Sequence, residues 1–383
     1  MPIQLKKGEV VRGDKGVYRV VSDEPFIGGQ AFSYCVKGER GRKLFIKQFT
    51  DVSPRFGGDA FVKRQKALME RLKRIPDYVS EDIDLFVYKD TFFKVSEWME
   101  GRSLGGELRA AESHSSAFTP ELRMTNASVL AYTIAKIHEQ GIAHLDLKPD
   151  NAFLERRFIK ARGGETLVIR LIDFDGAVIE GSPLPDGFYG TIGYLSPEHV
   201  LYDRVGPPGT DSDVFTLGIM LYEILANRYP FPDLEKAFLE RKTQRPKEAA
   251  PWLSDKIAEL IWRALSPNRK ERPTASEIHQ GLIAKEAIRV ALVGASRRIR
   301  FHKDMVLGRK QLRGVPGYEY VDDVQARIFK GEGDTWVIAH LRDTVNPTRI
   351  NGETLRVGER RPLREGDVIQ IGLLELRVEM EYE

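Results

Sequence analysis

The run His144-Leu145-Asp146-Leu147-Lys148-Pro149-Asp150-Asn151 sets an aspartate and an asparagine five residues apart, directly after a helical pattern. At that spacing one side chain can accept a hydroxyl proton while the other reaches a metal ion. Lys148, two residues beyond Asp146, can neutralise a phosphoryl group in motion. Further on, Ile172-Asp173-Phe174-Asp175 follows an apolar run and offers another carboxylate to a metal. These are the parts that phosphoryl transfer requires: held phosphates, charge neutralised by Mg²⁺, and an acceptor hydroxyl aimed in line. Taken singly, Asp146 reads as a turn residue, Asp173 as a strand-end cap and Lys47 as a surface lysine. Their order along the chain carries the reading.

Elements of two kinds must position these groups. Alternation over Val17 to Val21, Phe32 to Val36 and Leu44 to Phe49, with Gly-Gly and Gly-Arg turns between, predicts antiparallel strands. Helical spacing follows over 60–74, and Phe92 to Met99 returns to a strand before Gly101. Helical periodicity then dominates Ala127 to Glu139, Asp213 to Ala226 and Ser254 to Leu265. A small sheet therefore precedes a larger helical body. After Ala284 short strands separated by Gly, Asp and Asn turns predict an all-β sandwich: Val290 to Val293, Met305 to Leu307, Gln325 to Phe329, Thr335 to Leu341, Asp367 to Ile371 and Leu374 to Met380. The boundary falls near Ala284 to Ala287, with no Pro/Gly/Ser linker to mark it.

At 383 residues the chain exceeds one ordinary core, and its 42% hydrophobic and 30% charged residues are those of a globular protein. The richest apolar stretch, Leu217 to Leu225, is broken by Gly218 and Glu223 and reads as a buried helix, so no membrane span is expected. The charged N-terminus lacks an apolar core of a secretory signal, and the single Cys35 suits a reducing compartment, so a cytoplasmic location is expected. Basic residues number 59 and acidic ones 56, too even a balance for a nucleic-acid footprint. The cluster Lys63, Arg64, Lys66, Arg71, Lys73 and Arg74 lies opposite Phe61, Leu68 and Leu72 and reads as a solvated helix face.

With these motifs in order, residues 7–284 resemble the eukaryotic-type protein kinase family as it occurs in bacteria, with an N-lobe over about 7–98 and a C-lobe over about 99–284. The resemblance implies a bilobal α+β fold, ATP and Mg²⁺ (or Mn²⁺) as cofactors, and proteins bearing Ser or Thr as substrates. Asp146 would be the catalytic base, Lys148 the stabiliser of the transferred group, and Asn151 and Asp173 the metal ligands. Leu44-Phe45-Ile46-Lys47 matches the strand whose lysine holds the α- and β-phosphates, and Gly28-Gly29 begins the phosphate loop. Glu70 is the expected helix partner of Lys47, as the only carboxylate between Phe61 and Arg74; aligning Ile75-Pro76 with the family's His-Pro puts Lys66 at that place instead. Ser96 resembles the gatekeeper, and the backbone of Glu97 and Met99 would bond adenine. Thr191 resembles the P+1 threonine, and Glu198 of Ser196-Pro197-Glu198 would pair with Arg272. Asp213 would anchor the catalytic loop.

Several positions depart from the family pattern. Gln30 and Ser33 replace two glycines of the phosphate loop, which should stiffen its closure. Leu145 replaces the arginine before the catalytic aspartate, so control by an activation-loop phosphate is not expected. Asp175 replaces the glycine of D-F-G, with Gly176 one residue later. These departures leave one alternative, a pseudokinase scaffold that senses nucleotide or serves as an inert interaction module.

Residues 288–380 resemble a forkhead-associated (FHA) domain, a β-sandwich that reads phosphothreonine from loops at one end. Gly308-Arg309, then Asp343 to Gly352 including Asn346 and Asn351, then Leu363 to Gly372 fall in family order. Where the family has S-x-x-H stands Asp322-Asp323-Val324-Gln325. A carboxylate in place of the phosphate-binding serine repels phosphate, so a docked partner is expected, with phosphothreonine dependence in doubt and Arg309, Asn346 and Asn351 as the candidate contacts.

Overall fold

The computed structural model describes residues 4–27, 31–50, 58–113, 119–159, 164–184, 190–231, 241, 243–284, 287–301, 304–331 and 335–382. Gly28, Gly29 and Gln30 of the expected phosphate loop lie outside the described residues. Two compact units divide the chain: Met1–Ala250 with Glu259–Leu282, and Pro251–Ala258 with Ile283–Glu383.

The first unit opens with a sheet formed by β1 (Val10–Arg12), β2 (Val17–Val20), β3 (Phe26–Ile27), β4 (Ala31–Lys37), β5 (Lys43–Phe49), β6 (Asp82–Tyr88) and β7 (Thr91–Glu97), in the order β1-β2-β4-β5-β7-β6 with β3 beside β4. Alternation along β5 explains its two roles. Leu44 and Ile46 enter a core with Val11, Tyr34, Phe93 and Val95, while Phe45 and Lys47 stand on the opposite face. Across the ladder Lys47 lies directly opposite Lys94 of β7, so both side chains leave the same face. Helix α1 (Gly58–Leu72) packs Phe61 and Met69 against Phe49, Leu85 and Phe92. Its buried positions, 58, 61, 65, 68, 69 and 72, follow the helical period.

After the sheet the chain is mainly helical: α2 (Leu104–Ser113), α3 (Pro120–His138), the short α4 (Pro197–Val200) and α5 (Tyr202–Val205), α6 (Thr210–Ala226), and helices over Pro246–Ala249, Asp255–Ala264 and Ala275–Ile283. Two small ladders carry the chemistry-bearing loops. β8 (Ile142–Ala143) pairs with β11 (Val178–Ile179), and β9 (Ala152–Ile159) pairs with β10 (Gly164–Leu171). The loop after β8 holds Asp146, and the loop after β10 holds Asp173. The long β9–β10 hairpin was not anticipated from the sequence. Helix α6 is buried on every side from Ser212 to Tyr222, which is why its apolar run lacks a polar stripe.

The second unit contains two antiparallel sheets, one of six strands and one of four, that enclose Trp336, Phe301, Leu307, Ile338 and Leu376. A Cβ at Gly308 would come within 2.0 Å of the Asp323 carbonyl oxygen, so only glycine fits there.

Beneath α6, Arg272 and Glu198 form an ion pair at 2.8 Å with side chains 1% and 0% exposed. Ser212 also donates to Glu198 at 3.0 Å, and Arg272 donates to the carbonyls of Ser266 and Asp211. Replacing Arg272 by Ala leaves Glu198 charged and buried. The variant is expected to lose about 3–5 kcal/mol of stability, read as a lower urea midpoint for the larger unit. A loss below about 1 kcal/mol would show that the site relaxes to admit water.

Candidate active site

The loop after β8 begins with a backbone that L-residues seldom adopt: Leu145 has φ 62°. Asp213, in the first turn of α6, holds it there. Its carboxylate accepts the backbone N–H of His144 at 2.7 Å and of Leu145 at 2.9 Å, and lies 3.0 Å from His138 Nε2. The next residue, Asp146, faces the cleft. Thr191 donates its hydroxyl to Asp146 Oδ1 at 2.7 Å, and Lys148 Nζ donates to Thr191 Oγ1 at 2.8 Å and to Asp146 Oδ2 at 3.4 Å. Asn151 Nδ2 donates to the Asp146 carbonyl at 2.9 Å. A carboxylate oriented by a hydroxyl and an ammonium can accept a proton from an incoming hydroxyl while the ammonium meets developing negative charge.

Asp173, with φ 66°, follows Ile172, whose carbonyl is bound by His144 Nε2 at 2.9 Å. Its carboxylate is 2.7 Å from Lys47 Nζ. Lys47 also contacts Asp175 Oδ2 at 2.5 Å, and Asp175 Oδ1 is bound by Lys94. Burial pulls the Lys47 ammonium down, yet Asp175 and Asp173 outweigh it and hold it above its ordinary value. For Asp175, burial raises the carboxyl, but Lys47 and Lys94 keep it well below the usual carboxylate range. Asp173 is raised, by burial first, against the pull of Lys47 and with the push of the Asp175 charge.

Glu70 is not part of this cluster. Its side chain is 70% exposed and pairs with Lys73, one residue past the end of α1. Residue 70 belongs to the solvent face of α1, whereas position 65 points inward; Gln65, 1% exposed, donates to the Asp175 backbone carbonyl at 3.1 Å. Lys66, the other position considered, is exposed. The helical period already separates 65 from 70 and 66, which the motif alignment overlooked.

Above these groups runs the segment Ser96 to Met99. Glu97 pairs with Arg170 of β10 through contacts of 3.0 and 2.6 Å, and Arg170 also donates to the carbonyl of Val79. Burial raises the Glu97 carboxyl, but Arg170 brings it below its ordinary value. Met99, Glu97, Phe45, Lys47, Asp146 and Asp173 all border one cleft of about 690 Å³. That volume lies within the range of nucleotide-sized sites.

Residues 27–282 match the protein kinase domain family. The chain belongs to that family. Residues 304–372 match the FHA domain family. Among similar proteins are CBL-interacting protein kinase 30 of Oryza sativa subsp. japonica, 29% identical over 62% of this chain and 48% of its own length, and CBL-interacting serine/threonine-protein kinase 14 of Arabidopsis thaliana, 28% identical over 66% and 55%. A bacterial relative, serine/threonine-protein kinase pkn2 of Myxococcus xanthus, is 31% identical over 64% of this chain and 29% of its own length. The chain thus spans about half, or less, of the curated relatives it matches.

Protein kinases use ATP and a divalent metal, and the donors present fit that requirement. Asp173 brings a carboxylate and Asn151 a carboxamide oxygen, hard donors suited to a hard cation. Because the Asn151 nitrogen is committed to the Asp146 carbonyl, its oxygen is the atom left for a metal. Lys94, which lines the cleft, and Gln65 and Arg170, which bond the lining residues Asp175 and Glu97, escaped the sequence reading. A lysine inside the apolar Phe92-Phe93-Lys94-Val95 run and an arginine inside Val168-Ile169-Arg170-Leu171 were the visible signs.

In the FHA unit, Arg309 Nε donates to the Val321 carbonyl at 2.8 Å, and Asn346 Nδ2 to the Tyr320 carbonyl at 2.9 Å. Asn351 bonds Asp367 Oδ1 and accepts the N–H of Val368, both at 2.8 Å. Gln325 Oε1 accepts the N–H of Asp322 at 3.1 Å.

Asp213→Ala is expected to free the catalytic loop and lower turnover on the order of 100-fold. Nucleotide affinity, measured by titration, should remain within about twofold. Equal loss of both would mean that Asp213 supports the whole cleft rather than the loop.

Proposed function

We propose that this chain is an active ATP-dependent protein kinase that phosphorylates Ser or Thr, with Mg²⁺ as its metal and Mn²⁺ as a possible substitute. The observation that carries the reading is the junction of Thr191, Asp146 and Lys148, hydrogen-bonded in one cleft with Lys47 and Asp173. The metal, when bound with ATP, supplies charge neutralisation at the phosphates. Lys47 would hold the α- and β-phosphates, and Asp146 would take the proton of the acceptor hydroxyl as Lys148 stabilises the group in transfer. Asn151 and Asp173 would ligate the metal, and Glu97 and Met99 would seat adenine from their backbone. The phosphate loop residues Gly28 and Gly29 complete the proposal from sequence alone.

Assignment to Ser and Thr rests on Lys148-Pro149-Asp150-Asn151, which resembles the Ser/Thr branch, and agrees with the names of the Arabidopsis and Myxococcus relatives. The domain limits 7–284 and 288–380 belong to the same proposal. So does a cytoplasmic location, which the lone cysteine favours. Among the described residues no helix is long and apolar enough to cross a membrane. We assign the FHA unit to docking a protein partner or substrate.

Asp146→Asn is expected to abolish transfer of labelled phosphate to a generic basic protein while sparing ATP binding, since Asp146 orients the acceptor. Near-wild-type turnover in this variant would sink the assignment.

A second prediction concerns docking. Phosphothreonine recognition needs donors that replace the water around a nearly doubly charged group. The expected serine is Asp322, and Arg309 already donates to the Val321 carbonyl. Calorimetry with phosphothreonine peptides should therefore detect weak or no binding to the Asp146→Asn chain, and tighter binding once Asp322→Ser is added. Low-micromolar binding that the serine does not improve would place Asp322 outside the pocket.

A further inference from the structure

The lysine that holds ATP phosphates must itself be held, by a carboxylate that remains in place when the metal arrives. Asp173 is poorly suited to that task alone, because the proposed metal draws on the same carboxylate. Helix α1 supplies no substitute among its described residues. Its carboxylates are Asp59 in the first turn and Glu70, which is on the solvent face with Lys73. At the inward position stands the neutral Gln65, bound to the backbone carbonyl of Asp175.

We propose that Asp175 is the positioning residue for Lys47, doing from the D-F-D segment what a helix glutamate would otherwise do, with Lys94 as its fixed counter-cation. The inference rests on the kinase reading of the cleft. Its geometry is specific. Lys47 and Lys94 face one another across β5 and β7 and project from the same face. Each takes a different oxygen of one carboxylate, Lys47 on Oδ2 at 2.5 Å and Lys94 on Oδ1. Lys94 is 4% exposed and also lies 3.5 Å from Asp82, so its ammonium is pinned from two sides. Arg64 and Gln65 then fasten the Asp175 backbone to α1, at 3.2 and 3.1 Å.

Lys94 answers the objection that an extra carboxylate beside Asp173 is repulsive. Two adjacent carboxylates without added cations repel one another. Here Lys47 meets Asp173 and Asp175, and Lys94 meets Asp175 and Asp82, so each carboxylate of the cluster has a cation beside it. Withdrawal of Asp173 towards a metal then leaves Lys47 still tethered.

The test uses the full chain, first assayed as wild type for transfer and for binding of a fluorescent ATP analogue with Mg²⁺; wild-type silence in both would fail the kinase reading and not this inference. Asp175→Asn is expected to raise the KM for ATP and the dissociation constant of the analogue in parallel, by about tenfold or more, with the KM for protein substrate unchanged. Because Asp175→Asn leaves Lys94 with Asp82 alone, the pair Lys94→Met with Asp175→Asn is measured as well; the ATP defect should persist in it. Adding Gln65→Glu to Asp175→Gly places a carboxylate on the inward face of α1 and should recover most of the ATP affinity. The inference is overturned if Asp175→Asn leaves both ATP constants within about twofold, if the defect vanishes in the Lys94→Met pair, or if Gln65→Glu restores nothing.

Discussion

The proposed catalysis depends on holding a short loop in a backbone conformation that its own residues disfavour. A leucine at φ 62° costs on the order of 1 kcal/mol relative to its ordinary wells. The carboxylate of Asp213 offsets that cost by accepting two successive backbone N–H groups. It can do so because it is 1% exposed, where no water competes, and because it occupies the first turn of α6, where the helix dipole favours an anion. The helix in turn is fixed from below. Ser212, next to Asp213, donates to Glu198, and Glu198 is locked by Arg272. The path from Arg272 to Asp146 therefore passes through contiguous hydrogen bonds and one rigid helix. His199 adds a lateral tie, with Nε2 3.2 Å from the Leu145 carbonyl and Nδ1 2.8 Å from Ser196 Oγ. Burial pulls this imidazole below its ordinary value, which favours the neutral ring that such bonding requires.

The opposite wall of the cleft works by charge rather than by backbone. Desolvating Lys47, Lys94, Asp173 and Asp175 is costly in itself, and ion pairing recovers the cost only when geometry is good. Here the β5–β7 register sets the two ammonium groups at a fixed spacing, and one carboxylate bridges them. Such a cluster is poor economy for stability alone, since apolar residues of similar volume would pack the same space at no desolvation cost. Its position in the wall of a nucleotide-sized cleft gives it a functional reason.

Much of this was legible in the sequence because it resides in local spacing. The five-residue interval from Asp146 to Asn151 and the strand carrying Lys47 are short-range patterns, and strand alternation or helical period suffices to place them. Glu70 failed for a physical reason. Sequence order identified it as the available carboxylate, but the 3.6-residue period assigns it to the face opposite Gln65. Lys94, Asp175 and Arg170 gain their meaning only from partners far along the chain. Lys94 meets Asp175 across 81 residues, and Arg170 meets Glu97 across 73. A charged residue within an apolar strand was the visible sign of Lys94 and Arg170, yet the partner could be found only once the lobes were assembled. The β9–β10 hairpin escaped for a related cause: its alternation was read as an apolar run leading into Asp173.

The two units absorb departures from family pattern in different ways. In the kinase unit, Asp175 stands where glycine is usual, and the surrounding side chains gather on its carboxylate, so the change is expressed in the cleft. In the FHA unit, the candidate contacts are turned to loop bracing. Asn346 supports the Tyr320 carbonyl, Asn351 ties its turn to Asp367 and Val368, and Gln325 binds Thr344, Thr348 and the Asn346 carbonyl. Gln325 is 0% exposed, and its amide nitrogen meets all three of those oxygens. A buried amide satisfied in this way fixes loop shape strongly while presenting little to a ligand. Selection for a folded sandwich would maintain such bonds whether or not a phosphate is read, so retention of the scaffold alone is weak support for phosphate recognition. The cleft is different, because its buried lysines carry a desolvation cost that packing alone would not sustain.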